Sequence, residues 1–91
     1  MKAVEITQPG GPEVLSVTDR PMPTPDYDQV VIKVAYAGVN RPDALQRARL
    51  YNPPKGASDL PGLEASGEVI ACGAGVSALK LGDRVCALLP G

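Results

Sequence analysis

A mostly β domain with one short helix is what this chain predicts, and three observations carry the expectation. Runs of alternating or β-branched apolar residues recur at Lys2 to Thr7, Val14 to Thr18, Gln29 to Ala37, Leu63 to Cys72 and Arg84 to Leu89. Ten glycines and ten prolines punctuate them, the first lacking a Cβ and the second holding φ fixed, so both favour turns. Helical spacing of apolar residues occurs in one window only, after Asn40. Five or more strands and one helix in 91 residues describe a small β-barrel. One domain is the limit, and its core is thin: a chain of this size buries about 60% of its surface, and this one has neither Phe nor Trp.

The elements follow in order. Val4 and Ile6 share a face of the first strand, and Gln8-Pro9-Gly10-Gly11-Pro12 turns the chain into the second, a hairpin-like pair. Prolines at 21, 23 and 25 make Arg20 to Asp28 an extended strap with no ladder hydrogen bonds from those positions, a connector rather than a packed element. Gln29 to Ala37 is the most β-branched run and is expected to be a central strand ended by Gly38. Asn40 or Arg41 caps a helix of about two turns, with Pro42 in the first turn, where a missing N–H costs nothing. Ala44, Leu45 and Ala48 form its apolar face. Leu50 to Gly62, with three prolines and two glycines, is a long loop of the kind that usually carries function or disorder. The last two strands are joined through Gly73-Ala74-Gly75 and the Leu81-Gly82-Asp83 turn.

Composition removes several kinds of chemistry. With no histidine, Ser-His-Asp and Cys-His nucleophiles, H-E-x-x-H metalloprotease helices and His-ligated zinc cannot be built. A net charge of −1 gives no general attraction to nucleic acid or anionic membrane. The longest apolar run is the five residues Val85 to Leu89, against the roughly 20 that span a bilayer. Met1-Lys2-Ala3 leads into a mixed segment without a secretory h-region, so the address expected is cytoplasmic. Cys72 and Cys86 lie among apolar neighbours, make no C-x-x-C, and read as free, buried thiols. A disulfide would need their two strands to lie side by side in an oxidising compartment.

Gly73-Ala74-Gly75-Val76-Ser77-Ala78 matches the dinucleotide fingerprint G-x-G-x-x-G/A after an apolar strand. Gly82-Asp83 interrupts any helix opening there, and no second parallel strand fits, so it reads as a turn. Two cysteines without histidine cannot close an N/S zinc tetrahedron. Arg41, Arg47, Arg49 and Lys55 outnumber Asp43 around the helix and loop. They form either a site that draws a phosphorylated ligand or a solvated helix face. Tyr51 is either a wall of a ligand pocket or a cover over the barrel's end.

Several segments taken together carry a family resemblance. They include Gly11-Pro12-Glu13-Val14-Leu15, Gly38-Val39-Asn40-Arg41-Pro42-Asp43, Tyr51-Asn52-Pro53-Pro54, Gly62-Leu63-Glu64-Ala65-Ser66-Gly67-Glu68-Val69 and Gly82-Asp83-Arg84-Val85. In register over essentially the whole chain, they resemble the zinc-independent quinone oxidoreductases of the medium-chain dehydrogenase/reductase superfamily, nearest the p53-inducible quinone oxidoreductase branch. The resemblance implies a GroES-like, partly open β-barrel. Residues 1–91 are then expected to be the N-terminal part of that catalytic domain, without the Rossmann cofactor domain.

In zinc-dependent alcohol dehydrogenase relatives, a Cys and a His hold the metal and a Thr hydroxyl starts a proton relay. Asn40, Leu63 and Pro42 stand in those places. A carboxamide, an alkyl group and a pyrrolidine ring offer neither soft ligand nor hydroxyl, so Lewis-acid activation of an alcohol by that route is excluded. The resemblance implies instead hydride transfer from NADPH to a quinone or similar electrophilic carbonyl or enone. Asn40 would face nicotinamide and substrate, Arg41 would approach the cofactor pyrophosphate, and Tyr51 would line the quinone pocket. Asp43 and Glu64 would hold the architecture of the site. Where this chain has Arg49 the family usually has Gly. The family also implies a homodimer, and the isolated 91 residues are expected to be inactive. The competing class is a GroES-like module that binds or oligomerises without chemistry.

Overall fold

The structure is a computed structural model and describes residues 1–50 and 52–90. Five strands and one α-helix follow in the order β1 (Lys2–Ile6), β2 (Leu15–Asp19), β3 (Val30–Ala37), α1 (Arg41–Arg47), β4 (Glu64–Cys72) and β5 (Arg84–Leu88), with a short 3-10 turn at Pro12–Val14. β1 and β2 form an antiparallel hairpin with Val4 opposite Val17. β3, β4 and β5 form a second antiparallel sheet in that spatial order. The two sheets do not close on each other, giving the partly open, mostly β architecture expected.

The most β-branched strand is not the central one. β4 occupies the centre, pairing Lys33 with Glu68 on one side and Glu68 with Arg84 on the other, while β3 lies at an edge. β-Branching reports fit to a pleated, half-buried surface and not rank within a ladder. What suits β4 to the centre is Gly67: a Cβ there would collide with the Lys33 carbonyl and the Ile32 methyl. Close backbone approach at this point coincides with β3 register shifts between Val31 and Ile32 and between Val34 and Tyr36.

Val14, Val31 and Val69 are the buried hydrophobic residues among those described, and Val69 is 1% exposed. Val34 (56%), Tyr36 (79%) and Leu88 (88%) remain open to solvent. The radius of gyration is 14.0 Å, against about 12 Å for a compact domain of this length. Among the described residues no helix is long and apolar enough to cross a membrane.

The proline strap carries no strand, but it does more than connect. Gly75 N–H donates to the Tyr27 carbonyl at 2.8 Å and Gly73 N–H to the Gln29 carbonyl at 2.7 Å. The Gly73–Gly75 segment therefore seats against the end of the strap, and a Cβ at Gly73 would strike the Asp26 carbonyl. Both thiols are free, but Cys86 is exposed and Cys72 half-buried, not buried as a pair. Their strands do lie side by side, yet Cys86 faces Ser66 and Cys72 faces Val30, at different heights of the sheet.

Helix α1 ends in a Schellman motif. Leu50 N–H donates to the Leu45 carbonyl at 2.6 Å and Arg49 N–H to the Gln46 carbonyl at 3.0 Å, which places Arg49 at φ +62°. Glycine is the usual occupant of this left-handed position because it has no Cβ to clash. The apolar face expected at Ala44, Leu45 and Ala48 packs only in part: Leu45 and Ala48 are half-buried, Ala44 is exposed, and the buried helix residue is Gln46. Its Nε2 donates to the Asp59 carbonyl at 3.0 Å, so the helix turns a polar side toward the loop.

A three-sided ionic junction ties hairpin and loop together. Arg20 Nη1 and Nη2 donate to the two Asp59 carboxylate oxygens at 3.0 Å each, and Nη2 and Nε also reach Glu5 Oε2 at 3.1 and 3.3 Å. The guanidinium hydrogen bonds hold the Asp59 carboxyl below the usual carboxylate range.

Two outcomes follow from these contacts. Arg49→Gly removes the Cβ from a left-handed residue and should stabilise the fold by about 1 kcal/mol, read as a higher urea midpoint at unchanged m-value. Because the folded state lowers the Asp59 pKa, its contribution is complete above about pH 4 and is lost as pH falls further. Urea midpoints should therefore decline more steeply below that pH in the parent chain than in Asp59→Asn.

Candidate functional site

Strand β3 delivers the chain at Ala37 to Gly38, and Asn40 then opens α1 from an extended conformation, φ −129° and ψ 162°. Asp43 fixes this entry from both directions. Its Oδ2 accepts the Asn40 backbone N–H at 2.9 Å, and its own N–H donates to the Asn40 carbonyl at 3.0 Å. Such reciprocal bonding satisfies donors that a helix start otherwise leaves open. The second Asp43 oxygen, Oδ1, is buried and accepts nothing, as does Gln46 Oε1.

A cavity of about 390 Å³ opens beside this turn. Val4 and Leu15 of the hairpin, Val39 and Asn40, and Pro61 and Gly62 of the long loop contribute to its lining, with Asp43 and Arg47 from the helix. Arg47 also locks the hairpin loop to the helix. Its Nε donates to the Gly10 carbonyl at 3.1 Å, and its carbonyl accepts the Gly10 N–H at 3.0 Å. It is therefore not a free member of a basic face.

A second groove, of about 480 Å³, lies along β3, β4 and β5 and is lined by Tyr36, Glu64, Ser66, Cys86 and Leu88 among others. The two cavities share Ala37 and Gly38. The Glu64 side chain lies against the Gly38 Cα, so a Cβ there would meet the carboxylate and its methylene and the exposed glutamate would have to swing aside.

The structure thus brings Asn40 and Asp43 into one cavity and Glu64 into the adjoining one. Arg41 is exposed on the first turn of the helix. Tyr51 lies outside the described residues. Two residues that matter to this geometry, Gln46 and Asp59, escape the sequence reading: a glutamine on a short helix and an aspartate in a loop both look solvated, and only the fold sets them against each other.

The chemistry open to the cavity follows from its donors. An exposed carboxamide at Asn40 can donate to a carbonyl oxygen, and the walls are mainly alkyl, which suits a flat, weakly polar ligand. Asn40, Pro42 and Leu63 do not fit a soft metal ion. Among the described residues no three His, Cys, Asp or Glu side chains cluster. Gly73-Ala74-Gly75 forms a turn, with Val76 N–H donating to the Gly73 carbonyl at 3.0 Å. Among the described residues the next element is strand β5 and not a helix, so it is not a phosphate cradle of the dinucleotide type.

Comparison with known proteins agrees with this geometry. The family described as the alcohol dehydrogenase GroES-like domain matches residues 26–90. A quinone oxidoreductase of Lama guanicoe is 42% identical over 86 residues, covering 93% of this chain and 26% of its own. The rat quinone oxidoreductase is 40% identical over the same length, again covering 93% and 26%. The crystal structure of an Escherichia coli quinone oxidoreductase complexed with NADPH superposes with a TM-score of 0.87 at 32% identity, over 98% of this chain and 27% of that one. The chain thus spans about a quarter of the length of these relatives. Sequence and fold agree that this chain belongs to the alcohol dehydrogenase GroES-like domain family.

Proposed function

We propose that these residues form the acceptor-facing part of a zinc-independent, NADPH-dependent quinone oxidoreductase. The observation that carries the reading is the Asn40–Asp43 entry to α1. It sets a neutral hydrogen-bond donor at the mouth of an apolar cavity, where a metal-using relative needs a soft ligand. Similarity to quinone oxidoreductases, one of them complexed with NADPH, supports the choice of acceptor and cofactor.

In this reading the bound nicotinamide supplies a hydride. The chain's own residues do the rest. Asn40 donates to the acceptor carbonyl oxygen, where negative charge develops as the hydride arrives, and Asp43 keeps Asn40 in place by holding its backbone. Val4, Leu15 and Val39 exclude water from one side of the acceptor. A proton from solvent completes the hydroquinone. Arg41, exposed at the helix start, approaches the pyrophosphate, Tyr51 lines the quinone pocket, and Glu64 buttresses Gly38. A quinone is already electrophilic, so orientation suffices and no Lewis acid is needed. Among the described residues there is no dinucleotide fold; we assign residues 1–91 to the N-terminal part of the catalytic domain of a cytoplasmic enzyme, with the nucleotide held by another domain.

A second reading, a GroES-like module that binds or forms a homodimer without chemistry, is favoured by the exposure of Val34, Tyr36 and Leu88. NADPH consumption with 1,4-benzoquinone separates the two. In a polypeptide joining these residues to a nucleotide-binding domain, Asn40→Ala should lower kcat by about tenfold or more. Tyr51→Ala should raise the quinone KM by about threefold to fivefold with kcat nearly kept. Residues 1–91 alone should give no turnover. A joined polypeptide without quinone-dependent NADPH oxidation would select the module instead.

A further inference from the structure

Among the described residues, the loop from Asn52 to Gly62 is tied to the rest of the fold by side-chain hydrogen bonds at a single point. Its other bonds are internal, Ala57 N–H to the Pro54 carbonyl at 3.0 Å and Leu60 N–H to Ser58 Oγ at 3.1 Å. The point of attachment is Asp59, gripped at both ends: Arg20 forks its carboxylate and Gln46 Nε2 holds its carbonyl. Two residues further on, Pro61 and Gly62 form a wall of the Asn40 cavity, with Gly62 at φ +128°. We propose that Arg20 and Asp59 are positioning residues, a latch that sets the Pro61–Gly62 wall and so the fit of the acceptor. The proposal rests on the reading of that cavity as the acceptor site.

Magnitude separates positioning from stability. The Asp59 side chain is 73% exposed, and an ion pair that open contributes about 0–1 kcal/mol to folding. A two-bond fork nevertheless fixes direction as well as distance, because both acceptor oxygens must lie in the guanidinium plane. Glu5, on β1, accepts from the same guanidinium at Nε and Nη2 and so helps to orient it toward the loop. The hairpin thus presents an oriented fork. Lysine at position 20 would keep the charge and lose the fork, which makes Arg20→Lys the informative variant.

Hydrogen exchange and steady-state kinetics on the joined polypeptide test this together. Asp59→Asn, Arg20→Gln and Arg20→Lys should each speed amide exchange in residues 52–62 by about tenfold, with exchange in β3 and β4 unchanged. The KM for 1,4-benzoquinone should rise by about threefold to tenfold at a kcat within about twofold of the parent. Unchanged loop exchange in all variants overturns the latch. Faster exchange at unchanged KM, or Arg20→Lys behaving as the parent, overturns the positioning role. If the unsubstituted polypeptide reduces no quinone, the acceptor-site reading fails and the positioning role with it, while loop exchange still reports whether the latch itself exists.

Discussion

Everything in this fold hangs from the double pairing of β4. Its ladder to β3 runs from Val30–Cys72 to Ala37–Ala65, and its ladder to β5 from Glu64–Leu88 to Glu68–Arg84. The strand can be shared only because Gly67 lets the β3 backbone approach where a side chain would hold it away. That approach puts Val69, the most buried hydrophobic residue among those described, at the heart of the sheet. It also fixes where β3 ends, and hence where Gly38 releases the chain into the turn that carries Asn40. Site geometry is thus downstream of one tight backbone contact more than 25 residues away in sequence.

The working end is built by polar bonds more than by packing. With so few hydrophobic residues buried, the elements around the cavity are located by particular contacts: Gly10 to Arg47, Asp43 to Asn40, Gln46 and Arg20 to Asp59. Each is directional; three of them join separate segments, and the Asp43–Asn40 bond shapes the helix entry itself. Single bonds of this kind, exposed or half-buried, contribute modestly to folding free energy, yet they determine which backbone conformation the loop and helix start adopt. A cavity assembled this way is held in shape by geometry even where its walls are thinly supported.

Local chemistry explains which parts were legible in the sequence. The hairpin, the strap, the helix start at Asn40 with Pro42 behind it and the turn at Gly73–Gly75 all follow from residues acting on their own backbone. What could not be read depends on partners distant along the chain. The rank of strands within a sheet is set by who pairs with whom, so β-branching pointed to β3 when β4 holds the centre. The buried side of α1 is set by a loop carbonyl, so an apolar triplet looked like the face and Gln46 is. Cys86 looked buried from its neighbours in sequence, whereas β5 lies at an edge of the sheet. Asn40 was legible as a helix cap from its own chemistry, and it and Asp43 were singled out as candidates by the family resemblance; Asp59 had no such signature.

The contact between Gly38 and Glu64 reaches beyond this one chain. A methyl group at 38 displaces the glutamate, and a displaced glutamate changes the wall of the sheet groove next to the Asn40 cavity. The constraint runs one way: a larger residue at 38 asks position 64 to shorten or turn aside, whereas glycine accepts either. Among related chains a larger residue at 38 should accompany a shorter one at 64. A lineage that exchanges the pair would reshape its cleft without touching Asn40.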